Sequence, residues 1–343
     1  MTALPFRATR LGPLSIRWDF RTLIVCAALL GVIAVLGLFA MGTGSMALSP
    51  GEVLASLFGG QGVSGQVVNR IRLPRLLTGL FVGASLGMAG AIFQSISRNA
   101  LGSPDIIGFT TGAATGAVAQ IVIFNAGPVA TALAAVGGGL ATAAMVYLLA
   151  LKGRTTGGYR LVLVGIGMGA ILAALNTILL VRGNLDDAIS AQVWLSGSLN
   201  ARTWQHAGSV MLVFVALAPL ALSQARKLEI MEMGDDSALQ FGVPVERTRL
   251  LMMLAGVGLT AVATAAAGPI AFVALAAPQL VKRLTGAAGI PLLSGALMGA
   301  LLMVAADLLS QHLPVRAMMP IGLTTGLLGG VYLLWLLTRT RSV

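Results

Sequence analysis

The chain has 343 residues, of which 57% are hydrophobic and only 10% are charged, and its mean hydropathy is +0.92. A soluble core cannot bury this much apolar surface, so the composition excludes a soluble globular protein and predicts an all-α polytopic membrane protein. The net charge of +11 does not indicate a nucleic-acid partner, because most of the 22 cations lie in short segments between apolar stretches, where they act as topology signals.

Uncharged stretches predict ten membrane-spanning helices, so both termini are expected on one side. With the termini in the cytoplasm, sixteen cations lie inside and six outside, and this split favours that orientation. The predicted spans are Thr22–Met41, Leu76–Ser97, two within Ile106–Leu151 around the turn Asn125–Pro128, Leu161–Val181, Thr203–Ala225, a hairpin with at least one short helix within Leu250–Val281 around Gly268–Pro269, Leu284–Ala306 and Ala317–Thr338.

The predicted domain organisation is a single transmembrane domain, residues 22–338, between cytoplasmic tails at 1–21 and 339–343. The first apolar stretch is longer than a signal-peptide core and has no clear cleavage site, so we expect it to be retained. Between the first two spans, Ser49-Pro50-Gly51-Glu52 predicts a capped helix on the outer surface, and a similar amphipathic piece is expected between Asp186 and Trp204.

The largest polar segment is 224–249, which holds five of the eleven acidic residues and four cations. The predicted topology places it in the cytoplasm. Asp235 or Asp236 can cap the start of a short helix, and Gly242 can end that helix before Pro244. Two interpretations stay open at this point: a helix that a partner protein grips, or a solvated loop.

Small residues at four-residue spacing recur in three spans and predict close helix packing, within one chain or between two. They are Gly79, Gly83 and Gly87, then Gly295 and Gly299, then Gly322 and Gly326.

Motifs for chemistry are missing from the sequence. No phosphate-binding loop of the form GxxxxGK[ST] occurs, so the chain is not expected to hydrolyse ATP. One cysteine, Cys26, and two distant histidines, His206 and His312, support neither a metal site nor a bound cofactor. The spans carry almost no ionisable groups that could bind a coupling ion, and the best candidate, Asp307, lies near the end of a span. An ion-driven transporter is therefore disfavoured though not excluded.

Several motifs together resemble the FecCD family, the permease subunits of bacterial ABC importers for iron-siderophores, haem and cobalamin, over about residues 21–337. Their order and spacing carry the resemblance, since no single piece is decisive. The matching pieces are Arg72-Leu-Pro-Arg75; Gln94, Arg98-Asn-Ala-Leu101, Pro104, Gly108 and Gly112-Ala113; Trp194, Gly197-Ser-Leu199 and Trp204; Gly268-Pro269, Phe272, Pro278 and Arg283; and Ala306-Asp307 with Pro320-Ile-Gly322.

The resemblance implies a type II importer permease with the cobalamin-permease-like fold, in the bacterial inner membrane. Two such subunits enclose a pathway, each seats a cytoplasmic loop on an ATPase subunit, and a periplasmic or lipid-anchored binding protein delivers substrate. The implied ATPase-coupling residues are Gly234, Asp235, Asp236, Ser237, Ala238, Leu239, Gln240, Phe241 and Gly242. Arg72, Arg75 and, less securely aligned, Arg316 would meet the binding protein, although headgroup anchoring also explains such arginines.

Within the family, four segments are most similar to members that import ferric enterobactin, a catecholate siderophore, as half of a heterodimer. They are 232–238, 245–247, 249–253 and 330–332. The alternatives are the same machine for cobalamin or haem and, from another class, an ion-driven transporter. Three residues depart from the family pattern: Ala100 stands in place of the usual proline, Gln279 in place of the usual histidine, and Met319 in place of the Glu or Leu often found there. Polar residues that could line a pathway, or equally bond a neighbouring helix, are Thr110, Thr111, Thr115, Asn176 and Thr177.

Overall fold

A computed structural model describes residues 7–11, 14–59, 62–152, 155–312 and 319–339. Two small antiparallel hairpins pair β1 (Arg7–Leu11) with β2 (Leu14–Trp18) and β3 (Leu151–Lys152) with β4 (Thr155–Thr156), and a π-helical turn joins α3 to α4. The helices are α1 Phe20–Gly42, α2 Pro50–Leu57, α3 Val63–Val67, α4 Leu73–Ser97, α5 Phe109–Val122, α6 Pro128–Ala150, α7 Gly158–Arg182, α8 Leu185–Leu195, α9 Trp204–Glu232, α10 Asp235–Gln240, α11 Val245–Ala267, α12 Val273–Thr285, α13 Leu292–His312 and α14 Ile321–Arg339.

The ten predicted spans correspond to α1, α4 to α7, α9 and α11 to α14. Seven helices of the described part of the chain are long and apolar enough to cross a membrane, whereas α5, α12 and the apolar part of α14 are shorter. One predicted boundary is wrong. The ninth span begins at Leu292 instead of Leu284, because α12 continues to Thr285 and ends at Gly286, whose φ of 63° breaks the helix.

The short helix α12 confirms the predicted hairpin. Its thirteen residues rise about 20 Å, too little to cross a bilayer. The turn that precedes it uses positive φ at Gly268 (76°) and Phe272 (68°), and the N–H of Ser198 donates to the last carbonyl of α11 at Ala267 (2.7 Å). Irregular backbone at membrane depth is tolerated where it is buried in protein or lines a cavity.

Helix α4 forms the centre of the bundle and packs on α13, α11, α9 and α12. A β carbon at Gly83 would lie 2.3 Å from the carbonyl oxygen of Gly299, and one at Gly87 would lie 2.2 Å from that of Gly295. These backbones touch, so the predicted small-residue packing of α4 and α13 is confirmed. Gly326 differs, since a β carbon there meets nothing within 4 Å in the described structure.

The two predicted surface helices are present as α2 and α8. Ser49 and Glu52 form a reciprocal capping box at the start of α2, with Pro50 in its first turn. The backbone N–H and side-chain hydroxyl of Ser49 hydrogen-bond Glu52 and hold the pKa of its carboxyl below the usual value. Asn184 caps α8 by accepting from the N–H of Asp187.

The two ends of the bundle are distinguished by their contacts. At one end, which we call the α10 end, Arg21 at the start of α1 donates to the carbonyl of Leu284 at the end of α12, and Glu229 of α9 accepts from the N–H of Ile290. At the opposite end, Arg72 contacts the last turn of α1. The start of α1 therefore lies on the same side as the polar segment.

Candidate functional site

The predicted polar segment is divided among three elements. Residues 224–232 complete α9, α10 occupies Asp235–Gln240, and α11 begins at Val245. The helix N-cap is Gly234, which makes no side-chain cap bond, so the predicted cap by Asp235 or Asp236 is wrong. Both carboxylates lie in the first turn instead, where the helix dipole favours negative charge.

The end of α10 is as predicted. Gly242 takes a φ of 75°, its N–H donates to the carbonyl of Leu239 (2.9 Å), and the N–H of Val243 donates to that of Ala238 (3.0 Å). These two bonds form a Schellman motif, in which a left-handed glycine satisfies the last helical carbonyls. Positive-φ glycines therefore flank α10 on both sides.

One face of α10 packs on the bundle and the other is open. Ala238 is fully buried, and Val243 beyond the helix is also buried. The outward side presents an acidic residue, an amide and two large apolar side chains, of which Phe241 is 67% exposed. Its exposed members are Asp236, Leu239, Gln240 and Phe241.

An ion-pair network ties α10 to the bundle. The Asp235 carboxylate accepts from Arg98, which follows α4, and from Arg249 of α11 (2.7 Å). The Arg249 side chain is 1% exposed and also donates to Glu246. Glu246 in turn accepts from the N–H and the hydroxyl of Thr156 (3.1 and 2.9 Å), so four segments of the α10 end meet here.

The candidate pathway residues divide between a cavity and other surroundings. A cavity of about 360 Å³ between α5, α7 and the α11–α12 turn is lined by Thr110, Thr111 and Asn176. Asn176 is 8% exposed, and its side-chain oxygen has no partner among the residues described. Thr177 faces away, exposed and bonded to its own helix at Ala173, and Thr115 bonds its own helix in the same way.

The same cavity contains Asp105, a residue that sequence reasoning missed. Its half-buried carboxylate accepts from the Thr110 hydroxyl (2.6 Å) and from the backbone N–H of Phe272. Phe272 caps the start of α12, about 20 Å along that helix from the α10 end, so the chain between α4 and α5 turns back into the bundle. A carboxylate at this depth is a functional candidate by default. The Ser-Pro-Asp sequence after the fourth helix is the signal that could have indicated it.

The arginines predicted to meet a binding protein lie at the opposite end and are half-buried. Arg72 donates to the carbonyls of Met41 and Met46, both at 2.5 Å. Arg75 forms a two-pronged ion pair with Asp307 (3.1 and 2.8 Å). Both guanidiniums therefore hold segments of their own chain together. The third, Arg316, lies outside the described residues.

The residues that depart from the family pattern include two that contact each other. Gln279 of α12 donates to Gln94 of α4 (2.8 Å) and to the carbonyl of Ala100 (3.2 Å). The third, Met319, lines a separate cavity of about 390 Å³ at the opposite end, beside the Arg75–Asp307 pair. Among the described residues, no group of three or more His, Cys, Asp or Glu side chains could hold a metal ion.

Comparisons with known proteins agree with this architecture. The model of the FecCD transport family matches residues 18–339. The chain belongs to the FecCD transport family. It is thus a multi-pass inner-membrane permease of the ABC importer type, and it acts as a transport subunit. Permeases of this type work with ATPase subunits and substrate-binding proteins.

Two relatives and one solved structure illustrate the relationship. The ferric enterobactin transport system permease protein FepG of Escherichia coli (strain K12) is 44% identical over 93% of this chain and 97% of its own. The Fe(3+) dicitrate transport system permease protein FecD of the same organism is 37% identical over 80% and 86%. An inward-facing metal-chelate-type ABC transporter has a TM-score of 0.82 at 28% identity, covering 92% of this chain and 99% of that one. The type II importer permease fold is therefore confirmed.

Proposed function

We infer that this FecCD permease moves a ferric siderophore of the catecholate type into the bacterial cytoplasm, powered by ATP hydrolysis on a separate subunit. The observation that carries the ATP-driven part of the proposal is α10, a short helix between two positive-φ glycines with one face buried and one face open. Such a helix presents a defined surface to a partner. The 44% identity with the ferric enterobactin permease supports the catecholate assignment.

The ATPase subunit is proposed to grip the open face of α10. Asp236 supplies charge, and Leu239 and Phe241 supply apolar area that is otherwise exposed to water. Aromatic anchors surrounded by polar groups are typical of interfaces that bind specifically. With the ATPase on α10, the α10 end and the start of α1 would lie in the cytoplasm, which is the orientation that the cation distribution favours.

The binding protein is proposed to dock at the opposite end. Arg72 and Arg75 would act there mainly through the segments that they hold in place, since their guanidiniums already bond carbonyls and Asp307. Arg316 remains a candidate for a direct charge contact. Exposed rim charges of this kind contribute about 1 kcal/mol or less and act mostly on orientation and encounter rate.

A second permease subunit, related but not identical, is proposed to complete the pathway. The cavity with Thr110, Thr111 and Asn176 would form one wall. Its walls carry few charged groups, so cargo would meet hydrogen-bonding side chains and apolar surface. The sequence segments shared with the enterobactin-type members of the family favour a heterodimer over a homodimer.

Uptake in a host that lacks this chain tests the substrate. Radio-iron is offered as a ferric catecholate, a ferric hydroxamate and a ferric citrate, beside labelled cobalamin and haem, with and without the restored gene. We expect rescue of the catecholate alone. Rescue of cobalamin or haem alone would keep the machine and overturn the siderophore assignment.

A variant of α10 tests the coupling surface. Asp236→Lys combined with Phe241→Gln should lower uptake by at least about tenfold, a typical size for loss of a coupling contact, while the membrane level of the protein stays unchanged. Glu232→Lys, a charge reversal just before α10, serves as the matched control. Normal uptake by a well-expressed double variant would contradict the assignment of α10.

A further inference from the structure

A glycine at each end of α10 forms a flexible joint between this helix and its neighbours. Gly234 before the helix and Gly242 after it have φ values of 118° and 75°, which glycine adopts more easily than other residues. The covalent chain through these joints leads only to α9 and α11. Without other contacts, a displacement of α10 would be absorbed by rotation at the two glycines.

Asp235 links α10 to the end of α4 and to α11 by side-chain contacts that bypass the glycine joint at Gly234. Its two carboxylate oxygens are used separately: one accepts from Arg98 and the other from Arg249. Arg98 is itself fixed, since its Nε donates to the carbonyl of Met231 in the last turn of α9 (3.1 Å). The carboxylate is therefore held between the end of α4 on one side and α11 on the other.

The contact of Asp235 with Arg98, which we call the α4 arm, leads to the centre of the molecule. Arg98 is the left-handed C-cap of α4, with a φ of 49°, and α4 is buried from Gly83 to Ser97. Since α4 packs on α13, α11, α9 and α12, its end is the point from which a small displacement reaches most of the bundle. Backbone contacts such as Gly87 against Gly295 leave little slack along this route.

The contact of Asp235 with Arg249, the α11 arm, is held more firmly than the α4 arm. Arg249 is 1% exposed and is balanced by Asp235 and Glu246, and Glu246 is held by two bonds from Thr156. The four charged groups sum to zero, so the cluster needs no outside ion. Arg249 is the buried charge of the cluster, and its position is defined because moving it away from Asp235 and Glu246 would leave that charge unpaired.

We propose that Asp235 is a positioning residue that passes the movement of α10 to the central helix α4 through Arg98, with Arg249 fixing the carboxylate on the other side. The inference rests on the proposed function of α10 as the ATPase-coupling helix. It goes further by naming the route and the residues through which the helix acts on the bundle.

Arg98→Met is the variant that isolates the α4 arm. Arg98 is 41% exposed, and its loss leaves the buried Arg249 paired with both carboxylates, so the fold is expected to persist. Arg247→Met is the matched control, because Arg247 is exposed and makes no ion pair within the described part of the chain. Asp235→Asn, which keeps the shape of the side chain, provides a second variant.

The first readout does not depend on transport. The measurement is hydrogen exchange of the segment Gly234–Gly242 in the complete transporter in lipid nanodiscs. Exchange should become about fivefold faster in Arg98→Met and in Asp235→Asn, because each variant removes one contact that holds α10 closed against the bundle. Arg247→Met should match wild type. Equal protection in all four proteins would show that the ion pairs do not hold α10 and would overturn the inference.

The second readout is cargo taken up per ATP hydrolysed by the reconstituted importer. Arg98→Met should lower this ratio by at least about fivefold while the ATPase subunit still co-purifies and hydrolyses ATP. An unchanged ratio beside a transporting wild type would overturn the route and leave the proposed function standing. Absence of ATP-driven uptake by wild type would instead overturn the proposed function, and with it the coupling role.

A covalent replacement separates positioning from folding. Arg98→Cys with Asp235→Cys, in a Cys26→Ser background, gives two thiols where the ion pair was. A short, cleavable thiol cross-linker should restore the uptake-per-ATP ratio, and cleavage should remove it again. The Asp235→Cys single variant treated in the same way is the control. Cross-linking that leaves the ratio low would contradict a mechanical route through these two positions.

Discussion

The contact between α4 and α13 and the attachment of α10 represent two ways of holding helices together. In the first, glycine backbones touch, so that even one β carbon would overlap a carbonyl oxygen at 2.2 Å. In the second, a six-residue helix between two glycine joints is held by side-chain charges. Steric contact fixes one arrangement, whereas the partly exposed pair of Arg98 and Asp235 can reorient with modest loss. The difference indicates a rigid centre and an adjustable attachment, as an energy-coupled permease requires.

The largest effect is expected at the rigid contact. Gly87→Ala puts a methyl group against the carbonyl of Gly295 and should destabilise the protein by about 3 kcal/mol, the upper end of the usual cost of overpacking, because the contact is with backbone that cannot move aside. Thermal unfolding in detergent measures the loss. Gly167→Ala on α7 is the control, because a β carbon there meets nothing within 4 Å. Equal unfolding temperatures for the two variants would contradict the close contact.

Breaking the attachment of α10 is expected to reduce the stability of the protein somewhat less than Gly87→Ala does. Arg249→Met removes a buried guanidinium and leaves Asp235 and Glu246 with fewer partners, a cost of about 3 kcal/mol, reduced because both carboxylates can regain water. Arg247→Met should change stability by less than about 0.5 kcal/mol. Similar stability of the two variants would show that the buried cluster is not what holds this end.

Asp105, in the cavity beside the start of α12, distinguishes the ATP-driven account from an ion-driven one. Asp105→Asn keeps an acceptor for Thr110 and Phe272, so ATP-driven uptake should stay within about twofold, whereas Asp105→Leu should cost about 1 to 3 kcal/mol by leaving those donors unpaired. Uptake and thermal unfolding are measured for both. A stable Asp105→Asn protein without uptake would indicate that the carboxylate carries a coupling proton or cation.

The smallest effect is expected where the chain departs from its family. Gln279→Ala removes the bonds to Gln94 and to the carbonyl of Ala100 and should cost about 1 kcal/mol of stability. Gln279→His, which introduces the residue typical of the family, should lose less, because imidazole can also donate. A larger loss for His than for Ala would mean that space, and not hydrogen bonding, governs this position.

Much of the fold could be predicted because a bilayer demands about twenty apolar residues per span and polar residues between spans. The turns at Asn125–Pro128 and Gly268–Pro269 were visible for the same reason. The boundary near Leu284 was missed, because Lys282 and Arg283 resemble a loop but occupy the last turn of α12, where cations suit the helix dipole.

The site was less visible because it depends on pairs that are distant in sequence. Arg75 meets Asp307 across 232 positions and Arg98 meets Asp235 across 137. No local pattern encodes such contacts. Arg249 looked like one more cation of a polar segment, yet it is buried at 1% exposure. Asp105 was overlooked because counting uncharged runs treats everything between spans as outside the membrane.

Reconstitution of the purified permease pair in liposomes, with and without its ATPase and binding protein, tests the central claim most directly. The claim is that ATP, acting through α10, drives uptake of a ferric chelate. We predict radio-iron accumulation only when ATP, the ATPase and the loaded binding protein are all present, and none when a proton gradient is imposed on the permease alone. Accumulation on the gradient without the ATPase would contradict the account.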